Sequence, residues 1–389
     1  MAGIYRLKGR VKHYDWGGFS YIPSLLKTEN KDHRPFAEYW MGIHPLGVAL
    51  IELPDGKEIE LTELATNLPY LLKVLDVKDM LSIQVHPSKA AAEIEFAREN
   101  AEGISLDSPV RNYKDDNHKP EMLVALSDFY LLHGFKIATD LINILKAVPE
   151  LNGLLSIFKQ SGYEGLYKKV MTMPQQEVNE TLQPLLDRIV PLYKENKLHK
   201  SGEDFWAARA SITFSKGNDI DRGVFSIYLF NVVHLEKGEA LFQGAGLPHA
   251  YLEGQNVELM ANSDNVLRGG LTPKHVDVNE LLKHVKCEPT IANILKGEVI
   301  DKYGVLYKTP VPDFELSVFE LGQNEVVTTT AASTAILLTT EGIVKVDNEG
   351  INLEAGRPAA VILPGTFYAL TGLTEKATIF RASVPIHNG

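Results

Sequence analysis

The sequence predicts a mainly β protein with an inserted helical segment, and three observations support this. Up to about residue 136 the apolar runs are short, β-branched and bounded by Gly, Pro, Asp or Asn, as strands are. From about 137 to 218 apolar residues recur at spacings of three and four, which is typical of helices. From about 300 onward short apolar runs return between turn residues, which favours a sandwich or jelly roll.

The first β region and the helical block contain the clearest individual elements. Three runs in the first β region read as strands: Pro69–Val77, Leu81–Val85 and Glu121–Leu126. The helical block is represented by Asp140–Val148 and Glu177–Val190, which carry one apolar face each. Val224–Leu235 again reads as a strand, so we expect the helices to be inserted into a β domain and not appended to it.

The last third of the chain begins with a short helix. Asp277 and Glu280 have the spacing of a capping box, which predicts a helix through His284. The strands expected after it are Thr334–Val346, Ala359–Leu363 and Ala377–Ala382, with a turn at 347–350.

The length of 389 residues exceeds what one core usually holds, since domains average roughly 150 residues. We therefore expect three domains. Residues 1–136 and 219–297 would form a catalytic metal-binding domain, 137–218 a helical insert, and 298–389 a carboxyl-terminal β domain without metal.

Composition excludes several classes of protein. The chain is 44% hydrophobic and 23% charged, as globular proteins are. A net charge of −11 without a Lys/Arg cluster argues against a nucleic-acid partner. No apolar run is long enough for a membrane span and no signal-peptide core is present, so we expect no membrane partner and a cytoplasmic location. The single cysteine, Cys287, excludes an internal disulfide and a cysteine-based metal site.

Four residues form a candidate metal site. Glu121 opens a strand that should be dry, where an unpaired carboxylate would cost several kcal/mol, so it needs a proton, a cation or a metal. Gln84 and His86 are two residues apart on a strand and share a face. His249 follows a Gly/Pro-rich approach. Such a donor set suits Zn²⁺, Fe²⁺ or Mn²⁺. The alternative is that His249 packs in its turn while Glu121 pairs with a lysine.

Five segments together resemble the type I mannose-6-phosphate isomerase family: Glu38–Pro45, Gln84–Lys89, Asn117–Glu121, Gly246–Tyr251 and Asn262–Thr272. The resemblance implies a cupin-type jelly roll, a helical insert and a second cupin-like barrel without ligands. It also implies one Zn²⁺ per chain, held by Gln84, His86, Glu121 and His249. Tyr39 stands where many members of the family have an apolar residue, at a position remote from the ligands.

The activity implied by the resemblance is the interconversion of mannose 6-phosphate and fructose 6-phosphate through an enediol. Arg268, which the family assigns to the active site, would stabilise enediolate charge or bind phosphate. Lys119 is a candidate proton-transfer group, with phosphate binding or pairing to neighbouring aspartates as its alternatives. The other candidates for substrate binding are Ser88, Lys89, Asp264 and Trp16.

Two other functions fit the same residues. A metal-dependent oxygenase of the cupin type would use two histidines and a carboxylate, and a non-catalytic sugar-binding cupin would bind without turnover. The amide of Gln84 and the cations Lys119 and Arg268 favour an isomerase acting on an anionic sugar. The expected partner is therefore a phosphorylated hexose, and we expect a monomer.

Overall fold

Antiparallel strands form three sheets, and a run of helices interrupts them between Ala138 and Leu229. The structure is a computed structural model that describes residues 3–215, 217–347 and 350–385. The helices are α1 Tyr21–Leu25, α2 Lys89–Ala101, α3 Ala138–Ala147, α4 Asn152–Thr172, α5 Gln175–Lys194, α6 Glu203–Phe214, α7 Gly223–Leu229 and α8 Val278–His284.

The strands come in two groups, before and after the helical run. The first group is β1 Ile4–Lys8, β2 Arg10–Lys12, β3 Glu38–Met41, β4 Leu50–Glu52, β5 Glu58–Glu60, β6 Tyr70–Val77, β7 Gln84–Val85, β8 Glu121–Ala125 and β9 Phe129–Phe135. The second group is β10 Phe230–Leu235, β11 Ala240–Gln243, β12 His249–Ala261, β13 Leu267–Arg268, β14 Glu298–Val299, β15 Gly304–Tyr307, β16 Glu315–Leu321, β17 Val326–Thr330, β18 Ala335–Glu341, β19 Val344–Asp347, β20 Ile351–Leu353, β21 Ala359–Ile362, β22 Phe367–Gly372 and β23 Ala377–Ser383.

A ten-stranded sheet carries the region of the candidate metal ligands. Its main path runs β10-β9-β12-β6-β3-β2, and β7, β8, β11 and β13 join it at its sides. β12 is the longest of these strands, and it pairs with β7 and β9 through its first half and with β6 and β8 through its second. Residues far apart in sequence therefore meet along this one strand.

A nine-stranded sheet combines strands from both ends of the chain. Its order is β14-β15-β16-β23-β18-β21-β1-β4-β5, so the first strand pairs with β21 near the carboxyl end. One face of this sheet packs on the ten-stranded sheet, with Leu316, Ile336 and Val361 against Leu72 and Val74. The other face packs on a four-stranded sheet of order β17-β22-β19-β20.

The predicted mainly β fold with a helical insert is confirmed, and most of the expected elements are present. One element was predicted wrongly: Val224–Leu229 belongs to helix α7 and not to a strand, and strand β10 starts only at Phe230. All seven residues of α7 are buried, so the helix shows no polar face. Such a short, wholly buried segment has no polar and apolar periodicity that separates a helix from a strand.

Two further expectations differ from the structure in extent. The run Leu81–Val85 contains only a two-residue strand, because the N–H groups of Leu81 and Ile83 bond to the carbonyls of Tyr251 and Gly270 outside regular pairing. The turn predicted at 347–350 includes residues 348 and 349, which lie outside the described residues.

Helix-capping expectations are confirmed by side-chain bonds. The Asp277 carboxylate accepts the N–H of Glu280 over 3.0 Å at the start of α8, and the Ser88 hydroxyl accepts the N–H of Ala91 over 3.3 Å at the start of α2. No single helix among the described residues has the length and apolarity to cross a membrane. Helices α3 and α4 satisfy those criteria only as a joined pair, and the pair is bent by 113°.

Candidate metal centre and active site

Three of the four predicted metal ligands converge inside the ten-stranded sheet. Nε2 of His86 lies 3.4 Å from Oε1 of Glu121, and Nε2 of His249 lies 3.2 Å from Oε2 of the same carboxylate. All three side chains are buried, and one ligand atom from each lies within 4.8 Å of the others. This grouping can hold one metal ion.

Hydrogen bonds on the far side of each ring show which nitrogen is free to bind metal. Nδ1 of His86 donates to the carbonyl of Asn265 over 2.8 Å, and Nδ1 of His249 donates to the carbonyl of Leu247 over 2.9 Å. A carbonyl only accepts, so each neutral ring carries its proton on Nδ1 and a bare lone pair on Nε2. Backbone carbonyls orient metal-binding histidines in this way.

The bare nitrogens face a carboxylate, and without a cation this arrangement would be repulsive. Nε2 of His86 has no hydrogen-bond partner although it is buried. A divalent ion would satisfy both imidazoles and the carboxylate at once, so the residues fit zinc.

The charge states required by a metal are also those the environment favours. Burial lowers the pKa of His86 to about 4, which keeps the ring neutral. Burial alone would raise the pKa of the Glu121 carboxyl, but the charge of Lys119 lowers it well below its ordinary value. Neutral rings and an ionised carboxylate are the forms that bind metal.

Gln84 and Arg268 are placed beside this group by strand pairing. Gln84 of β7 stands opposite His249 on β12 and opposite Arg268 on β13. Its side chain lines the same cavity as Glu121 and His249, which is where a fourth ligand is needed. The short strand β7 therefore joins two parts of the site that are far apart in sequence.

A cavity opens beside the ligands. Apart from a few apolar side chains it is lined by charged and polar groups, which are Glu38, Lys73, Gln84, Lys119, Glu121, His249, Tyr251 and Glu258. Such a lining suits a polar, charged substrate more than an apolar one.

An ion network on the cavity wall was not anticipated from the sequence. Nζ of Lys73 lies 2.9 Å from Glu258 and 3.9 Å from Glu38, and the hydroxyl of Tyr251 donates to Glu258 over 2.7 Å. Burial would lower the pKa of Lys73, but the negative charges of Glu258, Glu38 and Glu121 raise it above its ordinary value. The signal in the sequence was a lysine within a mostly apolar strand, where a buried ammonium requires a partner.

Lys119 lies beside Glu121, as expected from the sequence. Its Nζ is 3.0 Å from Oε1 of Glu121, and its side chain lines the cavity. The neighbouring His118 turns away, and its Nε2 lies 3.0 Å from Oδ2 of Asp313 in the segment between β15 and β16. Lys119 is thus the member of this pair that faces the substrate cavity.

Arg268 is half-buried and makes no ion pair or side-chain hydrogen bond with any residue that the structure describes. Burial lowers the pKa of its guanidinium from its ordinary value. Two further cations, Lys274 and Lys114, lie close enough for the charge of Arg268 to contribute to lowering the pKa of each, after burial. Of these three cations, the sequence predicted only Arg268.

Three other predicted substrate-binding residues, unlike Arg268, have protein partners. Ser88 caps α2, and Nζ of Lys89 donates to the carbonyl of Asp116 and lies 3.5 Å from Glu93. Both have protein partners, so neither is as available to a phosphate as Arg268 is. Asp264 is half-exposed and contacts His44 at 3.4 Å.

Trp16 lies beside a tyrosine that the sequence did not single out. Its ring stacks on Tyr14 with centroids 5.9 Å apart. Burial raises the pKa of Tyr14 to about 12, and the charge of Glu38, a group in the cavity wall, adds to that rise. Trp16 itself packs against the cluster that contains Leu75 and Tyr251, two residues of the cavity wall.

Comparison with known proteins points to one family. Residues 4–138 match the family described as phosphomannose isomerase type I, catalytic domain. The mannose-6-phosphate isomerase of Salmonella typhimurium is 36% identical over 381 residues, covering 92% of this chain and 94% of that protein. The Escherichia coli protein of the same name is 36% identical over 360 residues, covering 87% and 89%.

Solved structures agree over nearly the whole chain. A crystal structure of mannose 6-phosphate isomerase bound with zinc and yttrium is similar with a TM-score of 0.81 and 33% identity, covering 99% of this chain and all of that one. A mutant of the phosphomannose isomerase from Salmonella typhimurium reaches a TM-score of 0.85 at 31% identity with the same coverage.

Proposed function

Because this chain belongs to the type I phosphomannose isomerase family, we propose that it interconverts mannose 6-phosphate and fructose 6-phosphate with the help of one zinc ion. The observation that carries the proposal is the pair of bare imidazole nitrogens that face Glu121 at the edge of a charged cavity. His86, Glu121 and His249, with the amide oxygen of Gln84, would hold the ion. Zinc held there supplies Lewis-acid polarisation of the sugar oxygens at C1 and C2.

Isomerisation moves a proton between C2 and C1 of the open-chain sugar, so the site needs a group that can take and return it. Lys119 is the proposed group. Its only ion-pair partner among the described residues is Glu121, which is also a metal ligand. Lys73 is less suited, because Glu258 and Glu38 both stabilise its ammonium form.

Negative charge that develops on the sugar oxygens during enediol formation requires a cation that is not already paired. Arg268 meets this requirement, since the structure gives it no carboxylate partner within the described ranges. Lys274 lies close enough for the charge of Arg268 to add to the effect of burial on its pKa, and it would attract the phosphate of the substrate. We assign Ser88 and Lys89 lesser parts in substrate binding, and place Trp16 at the edge of the pocket.

The domains are proposed to contribute unequally. Residues 1–136 and 219–297 would supply the metal centre, residues 137–218 would support the pocket, and 298–389 would act by stabilising the rest. Lys302, in an exposed pair with Glu325, offers a test, because Lys302→Ala should leave kcat/KM unchanged. We also propose that the protein acts as a monomer in the cytoplasm, and gel filtration would test the oligomeric state.

A coupled assay that follows formation of fructose 6-phosphate tests the function. Turnover should be lost on chelation and restored by Zn²⁺, and dialysed active protein should contain about one divalent ion per chain. Active protein without any bound divalent ion would overturn the metal assignment. Oxygen consumption with Fe²⁺, in place of isomerisation, would instead favour the oxygenase, which the family relationship does not support.

A further inference from the structure

Asp264 combines a backbone that is fixed on both sides with a side chain that stays half-exposed. Its own N–H donates to Oδ2 of Asp115 over 2.8 Å. The Ser263 hydroxyl donates to Oδ1 of Asp115 over 2.8 Å, and the Asn265 amide accepts the N–H of Lys114 over 2.7 Å. The Asp264 side chain, at 38% exposure, is therefore free to turn unless something else holds it.

His44 is in a position to hold it. Its ring is 3% exposed, and its Nε2 lies 3.4 Å from Oδ2 of Asp264. The N–H of Leu46 points at Nδ1 of the same ring over 3.3 Å, so Nδ1 is an acceptor. A neutral imidazole carries one proton, which must then be on Nε2, directed at the carboxylate.

The ring of His44 is itself held by the wall of the pocket. It meets the ring of Trp40 edge to face, with centroids 5.0 Å apart at 77°. The indole N–H of Trp40 donates to Glu38, one of the two carboxylates that face Lys73. Nζ of Lys12 donates to the carbonyl of Leu46, the residue whose N–H contacts Nδ1.

The charges that act on Asp264 come from His44 and from two lysines of the cavity wall. Burial would raise the pKa of its carboxyl, but the bond and charge of His44, followed by the charges of Lys119 and Lys73, lower it. Both lysines line the cavity. Asp264 is thus an ionised acceptor, and it adjoins Asn265, whose carbonyl accepts the hydrogen bond from His86.

We propose that His44 is a positioning residue, which holds the Asp264 carboxylate in one orientation so that it accepts a hydroxyl of the sugar phosphate. This deepens the proposed function and rests on it. His44 does not touch the substrate; it acts through Asp264, because a fixed acceptor orients a flexible open-chain sugar better than a mobile one does. The candidate hydroxyls belong to the carbon chain and not to the phosphate, since two anions would repel each other.

Two amide substitutions separate this role from simple packing. His44→Asn places an amide near Nδ1, where it can accept the Leu46 N–H but cannot reach Asp264. His44→Gln places a donor near Nε2, where it can reach Asp264. The matched controls are His234→Asn and His234→Gln, since His234 forms an exposed pair with Asp128 over 3.1 Å, away from the residues of the site.

The measurement is steady-state kinetics of zinc-loaded enzymes with mannose 6-phosphate, together with zinc content and unfolding midpoint. We expect His44→Asn to lose at least about tenfold in kcat/KM, mainly through KM, because loss of orientation by about 1 Å is known to cost up to about 10². His44→Gln should recover to within about threefold of wild type. Both His234 variants should match wild type.

A double-mutant cycle with Asp264→Asn completes the test. If His44 acts through Asp264, adding His44→Asn to Asp264→Asn should cost little more than Asp264→Asn alone. The inference is overturned if the losses in kcat/KM of the two single variants multiply in the double variant. It is also overturned if His44→Gln has as low a kcat/KM as His44→Asn in folded, zinc-loaded protein, or if His44→Asn keeps the kcat/KM of wild type. Wild-type protein that binds zinc but never converts the sugar would instead overturn the proposed function itself.

Discussion

The hydroxyl of Tyr251 donates to Oε1 of Glu258 over 2.7 Å, although the two residues are seven apart on the single strand β12. In an unbroken strand, residues seven apart point to opposite faces of the sheet. The register against β9 shifts between Tyr251 and Glu253, which makes Leu252 an extra residue. This bulge restores the common face, so one strand supplies both a metal ligand and the carboxylate of the ion network.

Next to the bulge the strand needs a glycine. Gly254 has a φ of 124°, and a Cβ at this position would lie 2.5 Å from the carbonyl oxygen of Asp128. Bulges often aim side chains at functional sites in this way.

Removal of the Tyr251 hydroxyl should destabilise the protein, because Glu258 is buried and would lose a donor. Tyr251→Phe is expected to cost about 1–3 kcal/mol in the free energy of unfolding, measured with urea. Tyr303→Phe, which removes only an exposed contact with Lys302, should change stability by less than about 0.5 kcal/mol. Equal effects at the two positions would show that the buried bond contributes nothing.

Loss of the Lys73 charge should be more severe. Lys73→Met would leave Glu258 and Glu38, 3% and 7% exposed, without their cation. Breaking a buried ion pair from one side typically costs about 3–5 kcal/mol. The control is Lys8→Met, whose pair with Glu58 is exposed and should contribute under about 1 kcal/mol. A melting temperature for Lys73→Met close to that of Lys8→Met would contradict the network.

Arg268→Ala should keep its zinc and its fold but lose chiefly kcat, by about 10²–10³, because a donor aimed at developing charge is lost. Arg268→Lys should recover little, since an ammonium cannot replace the planar guanidinium. Steady-state kinetics and metal analysis check this. A rise in KM with kcat unchanged would make Arg268 a phosphate anchor only.

Acid should destabilise the protein partly through His133, which is 4% exposed on β9 opposite His249. Burial lowers the pKa of His133 to about 3. The unfolded chain therefore takes up a proton near pH 6.5 while the folded chain does not. The contribution of His133 to the free energy of unfolding is therefore fully present above pH 6.5. It is lost as the pH falls toward 3, by at most about 1.4 kcal/mol per pH unit.

The test of His133 is the slope of unfolding free energy between pH 7 and 5, at fixed zinc concentration. His133→Gln should have a shallower slope than wild type, while the exposed His234→Gln should not differ from it. All three proteins share the metal-binding histidines, so the difference isolates His133. An unchanged slope in His133→Gln would show that its protonation is not linked to unfolding.

The candidate metal ligands could be predicted from the sequence because each sits in a short segment whose local chemistry is unusual. A carboxylate at the start of an apolar strand, as at Glu121, requires a partner wherever the strand lies. The caps at Ser88 and Asp277 are equally local, and the structure shows both. The alternation of apolar runs and helical periodicity likewise determined the mainly β class with its helical insert.

Only the tertiary structure decided which distant groups neutralise one another. Periodicity shows that Lys73 lies in a buried strand, but Glu258, 185 residues away, becomes its partner through the pairing of β6 with β12. The contact of His44 with Asp264 and the pairing of β1 with β21 arise in the same way. Helix α7 was mistaken for a strand because its burial on all sides removes the pattern. Local sequence reports which side chains avoid water, whereas long-range packing selects the charges they meet.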